Sequence, residues 1–156
     1  MLMDERYQKI LKYYQKEYGN DKPSDITEQE PVLALYNKKL SPSITLEFYL
    51  SRLTRYGNLT PNMLLMIIIL MNRFKVKYDI NKYNFFRVVL IATFIVMKLA
   101  DDEIPGVKYM AHLGGVSNRC DEIIALELMF LEVIEWELSM TVDEVKAMAL
   151  EILESN

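Results

Sequence analysis

Few side chains in this 156-residue chain have chemical reach. There is one histidine, His112, and one cysteine, Cys120. Where such a pair meets, it makes a nucleophile and its base. Here His112 sits beside Gly114-Gly115, and Cys120 falls in the first turn of the helix that follows. A small buried thiol is the plainer reading. Asp101-Asp102-Glu103 offers the oxygen donors that a divalent cation takes. Adjacent carboxylates do not converge on one ion without further ligands, so no metal site is expected. The chain has no glycine-rich phosphate loop and no His-Glu metal motif. No catalytic residue and no cofactor is assigned. Taken singly, Lys98 reads as snorkelling off a buried helix, and Glu127 as a solvated helix residue.

The elements that position these residues are helices. Tyr7, Ile10, Leu11, Tyr14 and Tyr18 recur at helical spacing, and Gly19 ends the run. Residues 19–31 read as a loop or hinge, followed by a short helix over Val32–Leu40. Pro42-Ser43-Ile44-Thr45 opens the next helix, with Thr45 as cap, Ile44 stapled on Tyr49 and Gly57 as the stop. Thr60-Pro61 opens another, to about Phe74. Asn81 is the expected cap of a helix over Lys82–Ala100, whose only strongly polar interior residues are Arg87 and Lys98. A helix apolar on every side belongs at the centre of a fold. A short helix over Val107–Leu113 ends at Gly114-Gly115. Ser117 or Asn118 caps a long helix to about Leu138, with a row of Glu outward. Thr141 and Glu144 form a capping box for a last helix, with Val142, Val145, Met148, Ala149 and Ile152 as its apolar face. No convincing strand is expected, and the fold class is all-α.

Apolar residues make up 51% and charged residues 26%, which excludes a disordered chain. The length suits one domain that buries about 70% of its unfolded surface without disulfide or metal staples. The net charge of −4 is uneven. Residues 1–60 carry nine basic and eight acidic groups, residues 61–119 eight and four, and residues 120–156 one and ten. The last third repels a phosphate backbone, so no nucleic-acid partner is expected. The longest uncharged apolar runs, Met63–Met71 and Val88–Met97, fall short of the roughly 20 residues that cross a bilayer. The start, with Asp4, Glu5 and Arg6, lacks the apolar stretch of a signal peptide. A lone cysteine makes a reducing compartment the default. The expectation is a protein of nucleus or cytoplasm, neither secreted nor membrane-bound.

Five helices around a central apolar one resemble a cyclin box, and five ordered stretches sharpen the likeness. Pro42-Ser43-Ile44-Thr45-Leu46-Glu47-Phe48-Tyr49-Leu50-Ser51-Arg52-Leu53 resembles the first-helix signature of P/U-type cyclins, the relatives of the yeast phosphate-pathway cyclin. Asn72-Arg73 stands where that family usually has Asp-Arg. Asn84, Arg87, Leu90-Ile91, Lys98 and Asp101-Asp102 resemble the third helix and its exit. Gly114-Gly115-Val116-Ser117 and Leu126-Glu127-Leu128-Met129-Phe130-Leu131 resemble the fourth turn and fifth helix. Phe86 replaces a usual His, and the Met-Arg-Ala-Ile-Leu docking motif of cell-cycle cyclins is absent.

The resemblance implies an N-terminal helical extension and hinge over 1–40, a cyclin box over 41–140 and a C-terminal helix over 141–156. It implies a non-catalytic regulatory subunit that binds and activates a cyclin-dependent kinase. The alternative is a cyclin-fold scaffold or adaptor that binds partners without activating a kinase. Lys98 and Glu127 would hydrogen-bond main-chain groups of the kinase beside its mobile regulatory helix, with Ile95, Leu99, Leu131 and Trp136 around them. Arg52 would pair with Asn72 by a hydrogen bond in place of the family's ion pair, and Arg87 with Asp101 or Asp102. The acidic face of the last two helices reads as solvated surface, with basic segments of substrates or inhibitors as the alternative partners. The N-terminal tyrosine helix either packs on the box or docks on the partner. A place in phosphate signalling or the cell cycle rests on family analogy alone.

Overall fold

Sixteen residues from Phe85 to Ala100 form a helix whose side chains are buried from Phe85 to Met97, Arg87 alone being half-exposed. Such a helix has to be enclosed by others, and the architecture follows from that. The computed structural model describes residues 5–18, 36, 45–81, 84–100, 105–115 and 120–155. They form seven helices: α1 (Glu5–Tyr18), α2 (Leu46–Tyr56), α3 (Pro61–Lys75), α4 (Phe85–Ala100), α5 (Val107–Leu113), α6 (Cys120–Val133) and α7 (Val142–Ser155). Among the described residues there is no strand. α4 packs on α2, α3 and α6; α3 in turn carries α1 and α7, and α5 contacts both α2 and α6. No helix among the described residues is long and apolar enough to cross a membrane.

Local signals set most of the boundaries. The Thr45 hydroxyl accepts from the Phe48 N–H at 3.1 Å, and Thr60 from Met63 at 3.2 Å, each satisfying an orphan donor of a first turn. Gly57 and Gly114 close α2 and α5. The expected Ile44 staple, the Ser117 or Asn118 cap and the Val32–Leu40 helix lie outside the described residues. The exception is Tyr36, which is helical and fully buried. Its ring packs on Phe74 at 5.3 Å, and its hydroxyl donates to the Leu126 carbonyl. Phe74 also stacks on Phe130 at 5.2 Å, so one aromatic column joins α3 to α6.

Three boundaries depart from the sequence expectation. The helix expected from Lys82 is described from Phe85, and the Asn81 carbonyl accepts from the Phe85 N–H at 2.8 Å. Asn84 turns its side chain back, accepting from the Asn81 N–H at 2.9 Å and donating to the Asp79 carbonyl at 2.8 Å, and the helix begins at Phe85. The long sixth helix stops at Val133 rather than Leu138. Glu135 and Trp136 take left-handed φ values of 57° and 59°, and the Trp136 N–H reaches back to the Leu131 carbonyl at 2.8 Å. That five-residue reach-back is a helix-ending turn. The capping box of α7 is half formed. Thr141 accepts from the Glu144 N–H at 3.0 Å, but the Glu144 carboxylate goes to Arg73 at 2.8 Å. Arg73 also donates to the carbonyls of Glu137 (2.6 Å) and Ser139 (2.8 Å). One guanidinium thereby holds the whole α6–α7 connection against the end of α3.

The tyrosine helix packs on the bundle. Tyr7 donates to the Leu59 carbonyl (2.9 Å), Tyr14 to the Leu64 carbonyl (3.0 Å) and Tyr18 to Asn72 Oδ1 (2.7 Å). Residue numbers rise together on both sides, so α1 runs alongside α3 in the same sense.

Two predictions follow from this packing. A Cβ added at Gly114 would stand 2.3 Å from Leu90 Cδ2, and Leu90 is itself buried. Gly114→Ala should cost about 1–3 kcal/mol by overpacking, read from the urea midpoint. The second concerns alkaline pH. Burial raises the hydroxyls of Tyr14, Tyr18, Tyr36 and Tyr49 well above the ordinary value of 10.0. It pushes Tyr13 up to about 12, with the Glu151 and Glu17 carboxylates adding to it. The unfolded chain ionises where the folded one resists, so this stability is complete below pH 10.0 and is lost as pH climbs through the folded-state values, about 12 for Tyr13 and higher for the others. Tyrosinate absorbance from the buried set should appear only as helical ellipticity falls; ionisation in a still-helical protein would contradict this.

Candidate functional site

α4 leaves the core at its C-terminal end. Ile95 is still buried, Lys98 is half-exposed, and Leu99 is 47% exposed. Three effects hold the Lys98 ammonium. It lies in the last turn of α4, where the helix dipole favours a cation. It sits 4.0 Å from the ring centroid of Phe94, one turn back. It also bonds both carboxylate oxygens of Glu127, at 2.8 and 3.0 Å. Glu127 comes from α6, which lies against α4 here. The two residues singled out from sequence therefore meet, and they meet each other.

The surroundings of the pair are apolar. Leu131 is buried on α6, one turn beyond Glu127. On the same helix Ile124 and Leu128, four residues apart, are 59% and 50% exposed. Sequence reasoning placed only glutamates on the outer face of α6 and missed both. The signal was present: the helix holds more apolar side chains than one face can bury. Large exposed aliphatics beside a satisfied ion pair are the composition of a contact surface, with an apolar centre and a polar point that sets register. Trp136 lies beyond the end of α6, on the left-handed turn, 58% exposed.

Of the two structural pairs expected from the resemblance, one is not formed and the other falls on residues outside those described. Arg52 and Asn72 do not pair. Arg52 lies on the side of α2 that meets α5, and it donates to the carbonyls of Leu113 (3.1 Å) and His112 (3.2 Å), two of the orphan acceptors of the last turn of α5. Asn72 lies in the last turn of α3 and serves Tyr18 of α1. Arg87 reaches Glu122 of α6 at 3.4 Å; Asp101 and Asp102 lie outside the described residues. His112 is exposed near the end of α5, and Cys120, half-buried, opens α6.

The described residues form an all-α bundle of short helices around an apolar central one, with a lysine–glutamate pair where that helix emerges. The family model for cyclins matches residues 5–138, and the chain belongs to the cyclin family. Its relatives include U- and P-type cyclins. Cyclin-U4-1 of Arabidopsis thaliana is 28% identical over 126 residues, covering 79% of this chain and 61% of the relative. Cyclin-U4-3 of the same plant is 34% identical over 104 residues, covering 65% and 47%. PHO85 cyclin-7 of Saccharomyces cerevisiae is 27% identical over 143 residues, covering 81% and 49%. The chain spans about half the length of the curated relatives it matches.

Because both partners of the Lys98–Glu127 bridge are half-exposed, its contribution is modest. A double-mutant cycle on Lys98→Met and Glu127→Gln, read by urea unfolding, should give a coupling of about 0.5–1 kcal/mol. A coupling of zero would mean that the two do not meet in solution.

Proposed function

We propose that this chain is a regulatory subunit that binds and activates a cyclin-dependent protein kinase and contributes no catalytic group of its own. The observation that carries the reading is the Lys98–Glu127 bridge set among Leu99, Ile124 and Leu128. Family membership supports it, as does likeness to a relative whose name ties it to PHO85. The mechanism is a population shift. An isolated kinase of this class favours an arrangement with its regulatory helix swung out. Docking on the α4–α6 surface holds that helix inward, so the kinase's own Lys–Glu ion pair forms and positions ATP. ATP and magnesium belong to the kinase. The cyclin supplies only differential affinity for the active form, through main-chain hydrogen bonds from Lys98 and Glu127 and contact with the aliphatics around them.

The mutual bridge gives a clean test. The double variant Lys98→Glu, Glu127→Lys keeps an internal ion pair, so its fold should survive, but it presents reversed polarity to the partner. Wild type and the swap, matched for helicity and melting temperature, are used to capture partners from lysate of the source cell. The expected result is a kinase on wild type alone, with activity on a peptide substrate. A kinase on both proteins would remove the pair from the interface. A kinase on neither would overturn the reading and favour a cyclin-fold scaffold.

A further inference from the structure

α1 and α3 run side by side in the same sense, so their first turns sit together. The last turns of α7 pack against them, and a cavity of about 370 Å³ lies between the three helices. Its floor is apolar: Ile10, Leu65 and Ile152 are all buried. Ala149 and Leu153 continue that wall outward, and Leu153 is 55% exposed. The charges are at the mouth. Arg6 and Lys9 line it against one carboxylate, Glu5, which lies 3.5 Å from Lys9. That leaves an excess of one cation. The amino ends of α1 and α3 add partial positive charge in the same place. The opposing carboxyl end of α7 is blunted, because the Ser155 hydroxyl donates to the Ile152 carbonyl at 2.9 Å.

We propose that this cavity binds a small aliphatic carboxylate, its head at Arg6 and Lys9 and its chain along Ile10, Leu65 and Ile152. An apolar hollow with a few convergent polar groups has the make-up of a small-molecule site, and 370 Å³ is within the usual size range. At about 30 Å³ for each water-sized group, the space takes about a dozen non-hydrogen atoms, the size of decanoate. One excess cation matches a monoanion, whereas a polyphosphate would bring charge that nothing in the lining meets. Asn62 is the one neutral polar side chain among the lining residues, too few for a sugar. Charges beyond about 8 Å are largely screened at physiological salt, so the lining decides the sign rather than the net charge of −4. The site uses neither Lys98 nor Glu127, so the proposal goes beyond the kinase reading and stands or falls apart from it.

The test is isothermal titration calorimetry on the purified full chain. The probes are hexanoate, octanoate, decanoate and dodecanoate below their micelle concentrations, with decylammonium as the cationic control. Decanoate should bind one to one. Affinity should rise about fourfold per methylene from hexanoate and level off beyond decanoate, where the cavity is full. Arg6→Glu with Lys9→Gln should raise the decanoate Kd at least about tenfold. An acidic residue suits the first turn of a helix, so helicity should hold in that variant. Ala149→Met fills the cavity with an adaptable side chain that favours helix, and it should abolish binding. The Lys98/Glu127 swap should bind decanoate as wild type does. Lack of saturable binding, no dependence on chain length, equal affinity for decylammonium, or indifference to the Arg6/Lys9 or Ala149 variant would each overturn the proposal.

Discussion

The enclosure of α4 is the constraint from which the rest follows. Its side chains are buried on all sides from Phe85 to Met97 except at Arg87, so no arrangement that leaves one flank wet is stable. α2, α3 and α6 take up those flanks, and α3, itself apolar nearly all round, must then be covered in turn by α1 and α7. Two consecutive core helices thus oblige the chain to build two shells. The outer helices need only half-apolar faces, and α7 shows this with Ile152 as its single buried residue.

The candidate site is a by-product of where that enclosure ends. At Lys98 the central helix passes out of the bundle, and its first charged group since Arg87 falls at the carboxyl end of the helix, over Phe94 and within reach of α6. The helix dipole, the aromatic face and Glu127 act on one ammonium. The aliphatics beside it are exposed because α6 has more of them than the core can take. Geometry that buries a helix so completely leaves its exit as the place where a second protein finds both apolar area and a fixed polar point.

Much of this was legible in the sequence. Period and caps gave the helices, because Thr45, Thr60, Thr141, Gly57 and Gly114 act through neighbours three or four residues away. What was not legible acts over long separations. The end of α6 depends on two left-handed residues that are not glycine and on the grip of Arg73 some sixty to seventy positions earlier. Glu144 looked like half of a local box because nothing in its neighbourhood names Arg73 as a rival. Arg52 and Asn72 were paired by analogy, while the folded chain sets one toward α5 and the other toward α1. Lys98 and Glu127 were identified as a pair from resemblance, and the resemblance did not say that they would satisfy one another.

The three hydroxyls of α1 act on the chain's history as well as its packing. Tyr7, Tyr14 and Tyr18 each address a fixed acceptor along Leu59, Leu64 and Asn72, like teeth cut for one rack. Losing a single residue inside α1 would turn everything on one side of the gap by about 100° and misalign the teeth. The connection from α1 to α2 has a fixed point of its own in Tyr36, whose hydroxyl donates to the Leu126 carbonyl. A chain that keeps this packing is therefore obliged to keep the interval from Tyr7 to Tyr18 at a constant count.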